Sequence, residues 1–306
     1  MQKIRIGTRG SRLALWQADY IEHLLRQKNK DIELECIIIK TEGDHDQRSS
    51  LEQIGGQGVF TKAIEEALIE NRIDVAVHSL KDLPSTMIKE LFLAAVPERG
   101  PIEDVLVTKD GLSLNELKEI ATVATGSIRR RSQLLNLRPD LIVTDLRGNI
   151  ETRLNKLYQK NLDAIIMARA ALFRLELDQV KFYTFSTEEM VPGVGQGAVG
   201  VQTRTDDTPT NEVVKLISHQ DTYDAITAER AFLNELDSGC QFPVGSYARV
   251  DEDILKIVGF VGSDDGQEIY RENMQGSVKD AEKLGRQLAH SLIKQGAKEL
   301  LARLNE

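Results

Sequence analysis

The 306-residue sequence is poor in cysteine and aromatic residues and has no long apolar run. Its two cysteines, Cys36 and Cys240, lie far apart, so a disulfide framework is not expected. No apolar stretch approaches the ~20 residues that span a bilayer, and the first residues lack the charged and apolar regions of a signal peptide. We therefore expect a cytoplasmic protein without a membrane segment.

Excess positive charge is also lacking, because 39 lysines and arginines stand against 48 aspartates and glutamates and give a formal net charge of −9. A nucleic-acid-binding protein normally carries a basic face and a high pI, whereas the pI here is about 5.3. We therefore expect no nucleic-acid partner. The five histidines show no metal-ligand spacing and no neighbouring cysteine, so no metal site is predicted.

Short β-branched segments alternate with helical patterns through most of the chain. Strand-like residues 3–8 precede a helical pattern from about residue 11 to 27, and the alternation restarts with a strand over 121–125 and a helix from Ser127. Such alternation predicts an α/β fold with mostly parallel sheets. The last part of the chain reads as a small α+β domain. We predict three domains: residues 1–98 with 197–219, residues 99–196, and residues 220–306.

One window is cationic against this acidic background. Residues 125–154 hold six arginines and only three acids, and Arg129, Arg130 and Arg131 are consecutive. Because successive helical residues turn by about 100°, the three cannot face one direction. We expect Arg129 and Arg130 to share a site and Arg131 to be solvated. The cluster indicates a confined site for a small anion.

Two segments, IGTRGSRLALWQ and ATGSIRRRSQLL, each end a strand in a turn with Gly and Thr and open a helix with Ser and Arg. Free backbone N–H groups and the helix dipole make such an end an anion site. The alternative interpretation is that Ser11 and Ser127 only cap their helices. An arginine in both turns favours the anion sites.

Two other motifs leave alternatives open. Residues 195–200, GQGAVG, have dinucleotide-binding spacing but precede a strand-like segment, so we reject that motif. We predict instead that residues 191–200, VPGVGQGAVG, form a flexible crossing between domains. VHSLKDLP places His78, Ser79, Lys81 and Asp82 at the carboxyl end of a strand, where ligand crevices commonly lie. This loop is either part of a site or simply solvated, and Lys81 could also form a Schiff base.

Two loops and one strand carry the remaining candidates. Residues 43–58, which include His45, are glycine-rich and polar, which suits a mobile lid with a solvated histidine. Cys240 stands in the tight loop SGCQFPVG, which favours access, although a lone cysteine is more often a small buried hydrophobe. We expect Cys36, in LECIIIK, to be a buried strand residue.

Together the motifs closely resemble the porphobilinogen deaminase family. The resemblance runs in order from residue 6 to residue 248 and implies two domains like type II periplasmic binding proteins, followed by a third that carries a covalent cofactor. The segments that carry it are IGTRGSRLALWQ, GGQGVFTKAIE, DVAVHSLKDLP, TGSIRRRSQL, LRGNIETRL, VGQGAVG, AERAFL and GCQFPVGSYA.

The resemblance also implies the chemistry. Dipyrromethane would be held by a thioether to Cys240, four porphobilinogen units would be joined head to tail with loss of ammonia, and hydroxymethylbilane would be released by hydrolysis. Asp82 matches the catalytic aspartate. The matching cofactor-binding positions are Cys240, Lys81, Asp82, Thr125, Ser127, Arg129, Arg130, Arg147 and Arg153. The matching substrate-binding positions are Arg9, Ser11, Arg147, Arg153, Arg174 and Gln196.

This chemistry gives the arginines a purpose, since every pyrrole carries an acetate and a propionate that need counter-charges. We expect a monomer that requires no metal. Two alternatives from other classes stay open: a receptor for carboxylates or oxyanions built from the first two domains, and a pyridoxal-phosphate enzyme that uses Lys81. Gln53 and Gln57, where some relatives carry lysine, leave the contacts of the predicted lid undetermined.

Overall fold

The computed structural model describes residues 3–41, 61–159, 161–237 and 242–304. The predicted lid over 43–58, with His45, Gln53 and Gln57, lies outside the described residues, and so does Cys240. The chain divides into two compact units, the first comprising Met1–Gly100 and Gly197–Tyr223 and the second Pro101–Gln196 and Asp224–Glu306. The finer division into three domains stays a prediction.

The described strands fall into three sheets. They are β1 (Lys3–Thr8), β2 (Glu33–Ile38), β3 (Val75–Ser79), β4 (Leu91–Ala95), β5 (Asp104–Thr108), β6 (Thr122–Ala124), β7 (Ile142–Thr144), β8 (Ala164–Ala168), β9 (Phe182–Thr184), β10 (Val199–Arg204), β11 (Val244–Asp251), β12 (Ile254–Gly262) and β13 (Ile269–Ser277). The helices are α1 (Arg12–Lys28), α2 (Lys62–Ile69), α3 (Ile128–Leu137), α4 (Ile150–Gln159), α5 (Arg169–Arg174), α6 (Thr208–Lys215), α7 (Gln220–Glu235), α8 (Ala281–Gln295) and α9 (Ala297–Arg303).

The first unit contains a five-stranded sheet in the order β2-β1-β3-β10-β4. Strands β1, β2 and β3 are parallel, whereas β10 runs antiparallel to both of its neighbours. Helix α1 lays its buried face, with Ile21 and Leu25, on a core that includes Ile4 and Ile6 of β1. The apolar positions recur every three or four residues along α1, which is why this segment is helical and one-sided.

The second unit contains a sheet of the same design, in the order β7-β6-β8-β5-β9. Strands β6, β7 and β8 are parallel, and β5 is antiparallel to β8 and to β9. In each sheet the antiparallel strand therefore lies next to a central parallel strand. The strand after the GQGAVG motif is β10, so rejection of the dinucleotide motif, which needs a helix there, is confirmed.

The last sheet, β11-β12-β13, is antiparallel and packs against α7 and α8. Its core includes Phe232 of α7, Leu288 of α8 and Leu255 and Ile257 of β12. The predicted fold class is confirmed: two α/β sheets with a smaller α+β part. None of the helices within the described ranges is both long enough and apolar enough to cross a bilayer.

Cys36 lies in β2 as predicted, but the prediction that it is buried is wrong, because the residue is exposed. The reason is topological: β2 is the edge strand of its sheet, and most of its residues are exposed. Although the residue as a whole is exposed, its thiol is partly desolvated, and this desolvation together with the nearby carboxylates Asp19 and Glu22 raises the pKa of the Cys36 thiol. The thiolate is therefore disfavoured at this position.

Candidate functional site

The first unit brings four predicted site residues to one edge of its sheet. Because β1 and β3 are parallel neighbours, with Gly7 opposite Ala76, their carboxyl ends meet at the same edge. The turn after β1 carries Arg9 and Ser11, and the turn after β3 carries Lys81 and Asp82. Ligand crevices of α/β sheets lie outside such strand ends.

Hydrogen bonds fix the start of α1 at this edge. The Ser11 side chain accepts a hydrogen bond from the Ala14 backbone N–H at 3.3 Å, so its capping role is confirmed. Thr8 donates its hydroxyl to the Ala14 carbonyl oxygen at 3.1 Å. The Gln17 amide of α1 donates to the Ser79 hydroxyl at 2.9 Å, which ties the helix to the end of β3. Anion or substrate binding by Ser11 stays a prediction.

Lys81 and Asp82 belong to a single 3₁₀ turn, Leu80–Asp82. Leu80 and the following Leu83 are buried, so the two leucines anchor the turn from both sides. Lys81 is half-buried, and Asp82 is exposed. Leu80 and Leu83 thus hold the Asp82 carboxylate at the edge of the sheet, where it is exposed and a ligand can reach it.

His78, which precedes this turn, is not part of the edge. It lies on β3, is 4 % exposed, and shares a 3.2 Å hydrogen bond with Gln202 of β10. The Gln202 amide also donates to Glu65 of α2 at 2.9 Å. Burial lowers the pKa of His78 to about 4, so the side chain is neutral at physiological pH. Its contacts assign it to the interior of the sheet.

This histidine predicts an acid sensitivity. Because its folded pKa of about 4 lies below the ordinary 6.5, its contribution to stability is complete above pH 6.5 and declines as the pH falls toward 4. We expect a loss of about 2 to 3 kcal/mol between pH 7 and pH 4.5. Urea titrations of the parent and of His78→Gln at a series of pH values measure the free energy of unfolding, and this loss on acidification should be absent from the variant. An equal dependence of the free energy of unfolding on pH in both proteins would contradict the assignment.

The second unit repeats the arrangement with more charge. Strands β7, β6 and β8 are parallel, so the turns after them share one edge. The turn after β6 carries Thr125 and Ser127, and the turn after β7 carries Arg147. Since β5 is antiparallel to β8, its first residue, Asp104, pairs with Ala168 and lies at that same edge.

The turn after β6 is built around a glycine. The Thr125 hydroxyl accepts a hydrogen bond from the Ser127 N–H at 3.2 Å, and the Ser127 hydroxyl accepts one from the Arg130 N–H at 3.4 Å. A Cβ atom on Gly126 would stand 2.6 Å from the carbonyl oxygen of Leu146, closer than real contacts allow. Ser127 is therefore confirmed as a helix cap, and its neighbour has room only for glycine.

Arg129 and Arg130 of α3 both turn inward onto one carboxylate. Asp104 contacts Arg129 Nη2 through Oδ2 at 2.8 Å. Its Oδ1 lies 2.8 Å from Arg130 Nη2 and 2.9 Å from Arg130 Nε. The Gln196 amide donates to the same Oδ1 at 2.9 Å. We call Asp104, Arg129, Arg130 and Gln196 the Asp104 cluster.

The Asp104 cluster is buried and carries unequal charge. Asp104 is 0 % exposed, and the two arginines are 6 % and 5 % exposed. Burial by itself would raise the pKa of Asp104, but Arg129, Arg130 and the Gln196 amide outweigh it and hold that pKa below the ordinary value. Burial lowers the pKa of Arg129, yet an arginine in a protein stays protonated. Two cations therefore face one anion.

The other predicted arginines divide between three settings. Arg131 is exposed, as the helical geometry predicted. Arg153 donates its Nε to the carbonyl oxygen of Gly148 at 2.8 Å, which places its guanidinium beside the turn after β7 that also carries Arg147. Arg174 is buried at the end of α5. Their roles as ligand-binding residues stay predictions.

Gln196 is held firmly in the crossing segment. Its amide donates to the carbonyl oxygen of Ile102 at 2.7 Å as well as to Asp104. The neighbouring Gly195 N–H donates to the buried carboxylate of Glu229 at 2.8 Å, and the other oxygen of Glu229 accepts from the Ala248 N–H. Hydrogen bonds to buried polar groups therefore hold Gly195 and Gln196 in this structure, and the flexibility of the crossing stays a prediction.

The Asp104 cluster also contacts the last sheet. Arg129 donates its Nη1 to the carbonyl oxygen of Val191 at 2.5 Å. A Cβ atom on Gly245 of β11 would lie 3.0 Å from Arg129 Cδ and 2.8 Å from the carbonyl oxygen of Pro192. Only glycine at 245 lets this strand approach the arginine so closely. Gly245 follows Cys240 by five residues.

Sequence reasoning missed Asp104 and Glu229. Asp104 could have been found as the single acidic residue that begins the otherwise apolar segment DVLVT. Glu229 could have been found as an acidic residue among the apolar helical positions of AERAFL. Buried carboxylates are rare unless they are paired. In the described parts of the chain, no group of three or more side chains forms a metal-ligand cluster.

These features define an α/β protein with two mixed sheets, each of which presents polar and cationic groups at the carboxyl ends of its parallel strands. In a comparison with known protein families, residues 4–212 match the family described as "Porphobilinogen deaminase, dipyromethane cofactor binding domain". Residues 223–294 match the family described as "Porphobilinogen deaminase, C-terminal domain". The chain belongs to the porphobilinogen deaminase family.

Two relatives that carry the family's name match nearly the whole of this chain. The porphobilinogen deaminase of Sulfurimonas denitrificans is 44% identical over 309 residues, which cover 99% of this chain and 97% of that protein. The porphobilinogen deaminase of Campylobacter hominis is 44% identical over 308 residues, which cover 100% and 99%. A solved structure of a probable amino-acid transporter binding protein from Bacillus subtilis has a TM-score of 0.44 and 13% identity, over 71% of this chain and 90% of that one.

Proposed function

We propose that this chain is a hydroxymethylbilane synthase, which joins four porphobilinogen units head to tail on a dipyrromethane primer and releases the linear product by hydrolysis. The observation that carries the proposal is the Asp104 cluster, in which two buried arginines share one carboxylate at the edge of a mixed sheet where its parallel strands end. Each porphobilinogen unit brings an acetate and a propionate, and such carboxylates are the partners that arginine binds best.

The dipyrromethane group suits these side chains. Each of its pyrroles carries an acetate and a propionate, and the uneven charge of the Asp104 cluster leaves one cation for a ligand carboxylate. When bound, the group supplies the pyrrole carbon to which the first porphobilinogen unit is joined. The residues that would hold it are Cys240, through a thioether, and Lys81, Asp82, Thr125, Ser127, Arg129, Arg130, Arg147 and Arg153.

Asp82 is the proposed catalytic residue. Its carboxylate is exposed at the edge of the first sheet, on a turn fixed by buried leucines. A carboxylate held in place can accept hydrogen bonds from pyrrole N–H groups and stabilise the positive charge that develops when ammonia leaves. The proposed contacts to incoming porphobilinogen come from Arg9, Ser11, Arg147, Arg153, Arg174 and Gln196.

The direction in which the arginines face predicts different outcomes for three variants. Arg129→Leu and Arg130→Leu should accumulate as heat-labile apoprotein, because each removes a buried cation beside Asp104 and a contact to the cofactor. Arg131→Leu should be loaded like the parent, since Arg131 is exposed. Intact mass and thermal unfolding measure both properties. Equal loss at all three positions would refute the assignment.

The proposal includes a cellular setting. We propose a monomer in the cytoplasm that acts on porphobilinogen and has no nucleic-acid or membrane partner. The formal net charge of −9 supports the lack of a nucleic-acid partner, and the lack of a long apolar run in the sequence supports the lack of a membrane partner.

The reaction itself is the direct test. Purified protein is incubated with porphobilinogen while consumed substrate, released ammonia and linear tetrapyrrole are measured. The proposal predicts one ammonia for each porphobilinogen consumed and a product built of four pyrroles. Binding of porphobilinogen without release of ammonia would overturn the proposal and favour a carboxylate receptor.

A further inference from the structure

Asp104 pairs with both Arg129 and Arg130, and it lies outside the sequence segments that carry the resemblance to the family. It is the only acid among the described residues that pairs with Arg129 or Arg130. The carboxylate is completely buried, and it lies at the edge where the ligand residues of the second unit gather. A buried charge at the first position of an apolar strand needs a reason, since burying it is costly.

The contacts of Asp104 are divided between its two oxygens. Oδ1 accepts hydrogen bonds from Arg130 Nε and from the Gln196 amide, each at 2.9 Å. Oδ2 touches Arg129 Nη2 at 2.8 Å as an ion pair, and no well-aligned hydrogen bond from a described residue reaches this atom. The short Asp104 side chain therefore fixes the positions of the guanidinium groups of the longer and more flexible Arg129 and Arg130 side chains.

We propose that Asp104 is a positioning residue: its carboxylate fixes the Arg129 and Arg130 guanidiniums relative to each other and leaves one of their two charges for a carboxylate of the pyrrole ligand. This inference rests on the proposed function. A long arginine side chain loses much conformational freedom when it binds, and fixing it beforehand reduces that loss. Asp104 thus acts through the arginines and touches no ligand itself.

Two explanations of the role of Asp104 predict opposite changes in the rate at which the Asp104→Asn variant acquires its cofactor. If the carboxylate only neutralised charge, Asp104→Asn would leave two uncompensated cations and would attract the carboxylates of porphobilinogen more strongly. If it positions the guanidiniums, the same variant should acquire the cofactor more slowly. We expect a rate about tenfold to a hundredfold lower, the effect of losing one charge-assisted hydrogen bond.

The experiment follows cofactor acquisition rather than turnover. Apoprotein of the parent, Asp104→Asn and Asp104→Glu is incubated with porphobilinogen, and the two-pyrrole mass increment is followed over time. Asp104→Glu keeps the charge but moves it by one methylene, so positioning predicts slow loading of both variants and neutralisation predicts slow loading of neither. Circular dichroism checks that each apoprotein is folded.

Asp74 supplies a matched control. Its carboxylate also bridges two arginines, Arg5 at 2.7 Å and Arg204 at 3.1 Å. Asp74, however, directly precedes β3 and so lies at the amino ends of the parallel strands in the sheet of the first unit, away from the proposed binding residues at their carboxyl ends. Asp74→Asn should lower the unfolding temperature and load at the parental rate. Slow loading of Asp74→Asn to the same extent would make the effect at Asp104 one of general stability and overturn the inference.

The remaining outcomes are also decisive. Loading of Asp104→Asn and Asp104→Glu at the parental rate would overturn the inference and leave the proposed function intact. Loss of the fold in both variants would make Asp104 a folding residue and overturn it too. A parent that acquires no pyrrole mass would instead overturn the proposed function.

Discussion

Replacing Asp82 by asparagine is expected to give a folded protein that carries its cofactor but turns over porphobilinogen about 10²-fold to 10³-fold more slowly. The side chain is exposed at the end of a turn whose anchors are Leu80 and Leu83, so its loss should not disturb the fold. What the variant lacks is the negative charge that stabilises the developing positive charge. Steady-state rates at saturating substrate, with intact mass to confirm loading, measure the effect.

A control for this variant is Asp178→Asn. Asp178 is also an exposed aspartate, but it lies in the second unit and belongs to none of the proposed binding positions. Its variant should keep parental turnover. Asp82→Asn with turnover close to that of Asp178→Asn would remove Asp82 from the mechanism.

Cys240→Ser is expected to fold as apoprotein with no stable pyrrole adduct and no turnover. A thioether needs a sulfur nucleophile, and a serine hydroxyl is far weaker in that role. Cys36→Ser should keep the full two-pyrrole increment and most of its activity. The structure supports this difference, because partial desolvation together with Asp19 and Glu22 raises the pKa of the Cys36 thiol and so disfavours its reactive form.

Peptide mass mapping after digestion compares both variants with the parent. The expected map has the increment only on the peptide that contains Cys240. An increment on the Cys36 peptide would refute the choice of anchor. A normal adduct in Cys240→Ser would have the same consequence.

The parts of the fold that depend on local signals were predictable from the sequence. Helices α1 and α3 begin where Ser11 and Ser127 stand, because a cap acts within one turn of its own helix. The exposure of Arg131 followed from helical geometry in the same way. The parallel strands of the two mixed sheets were evident from their β-branched runs.

What the sequence could not supply depends on which distant segments pair. Asp104 joins the arginines only because β5 runs antiparallel to β8, a pairing between segments about 60 residues apart that no local pattern encodes. Cys36 was predicted to be buried from its apolar neighbours, but strand order places β2 at the edge of its sheet. Gly245 acquired its role from the close approach of Arg129.

A chain that builds tetrapyrroles on a covalent two-pyrrole primer carries the mass of that primer, so the intact mass of the unsubstituted protein is the most direct test of the proposed function. The protein is purified, incubated briefly with porphobilinogen, denatured and weighed against its sequence mass. We expect an increment of two pyrrole units, with further single-pyrrole steps when substrate is present. An unmodified chain, or one that carries a pyridoxal adduct instead, would contradict it.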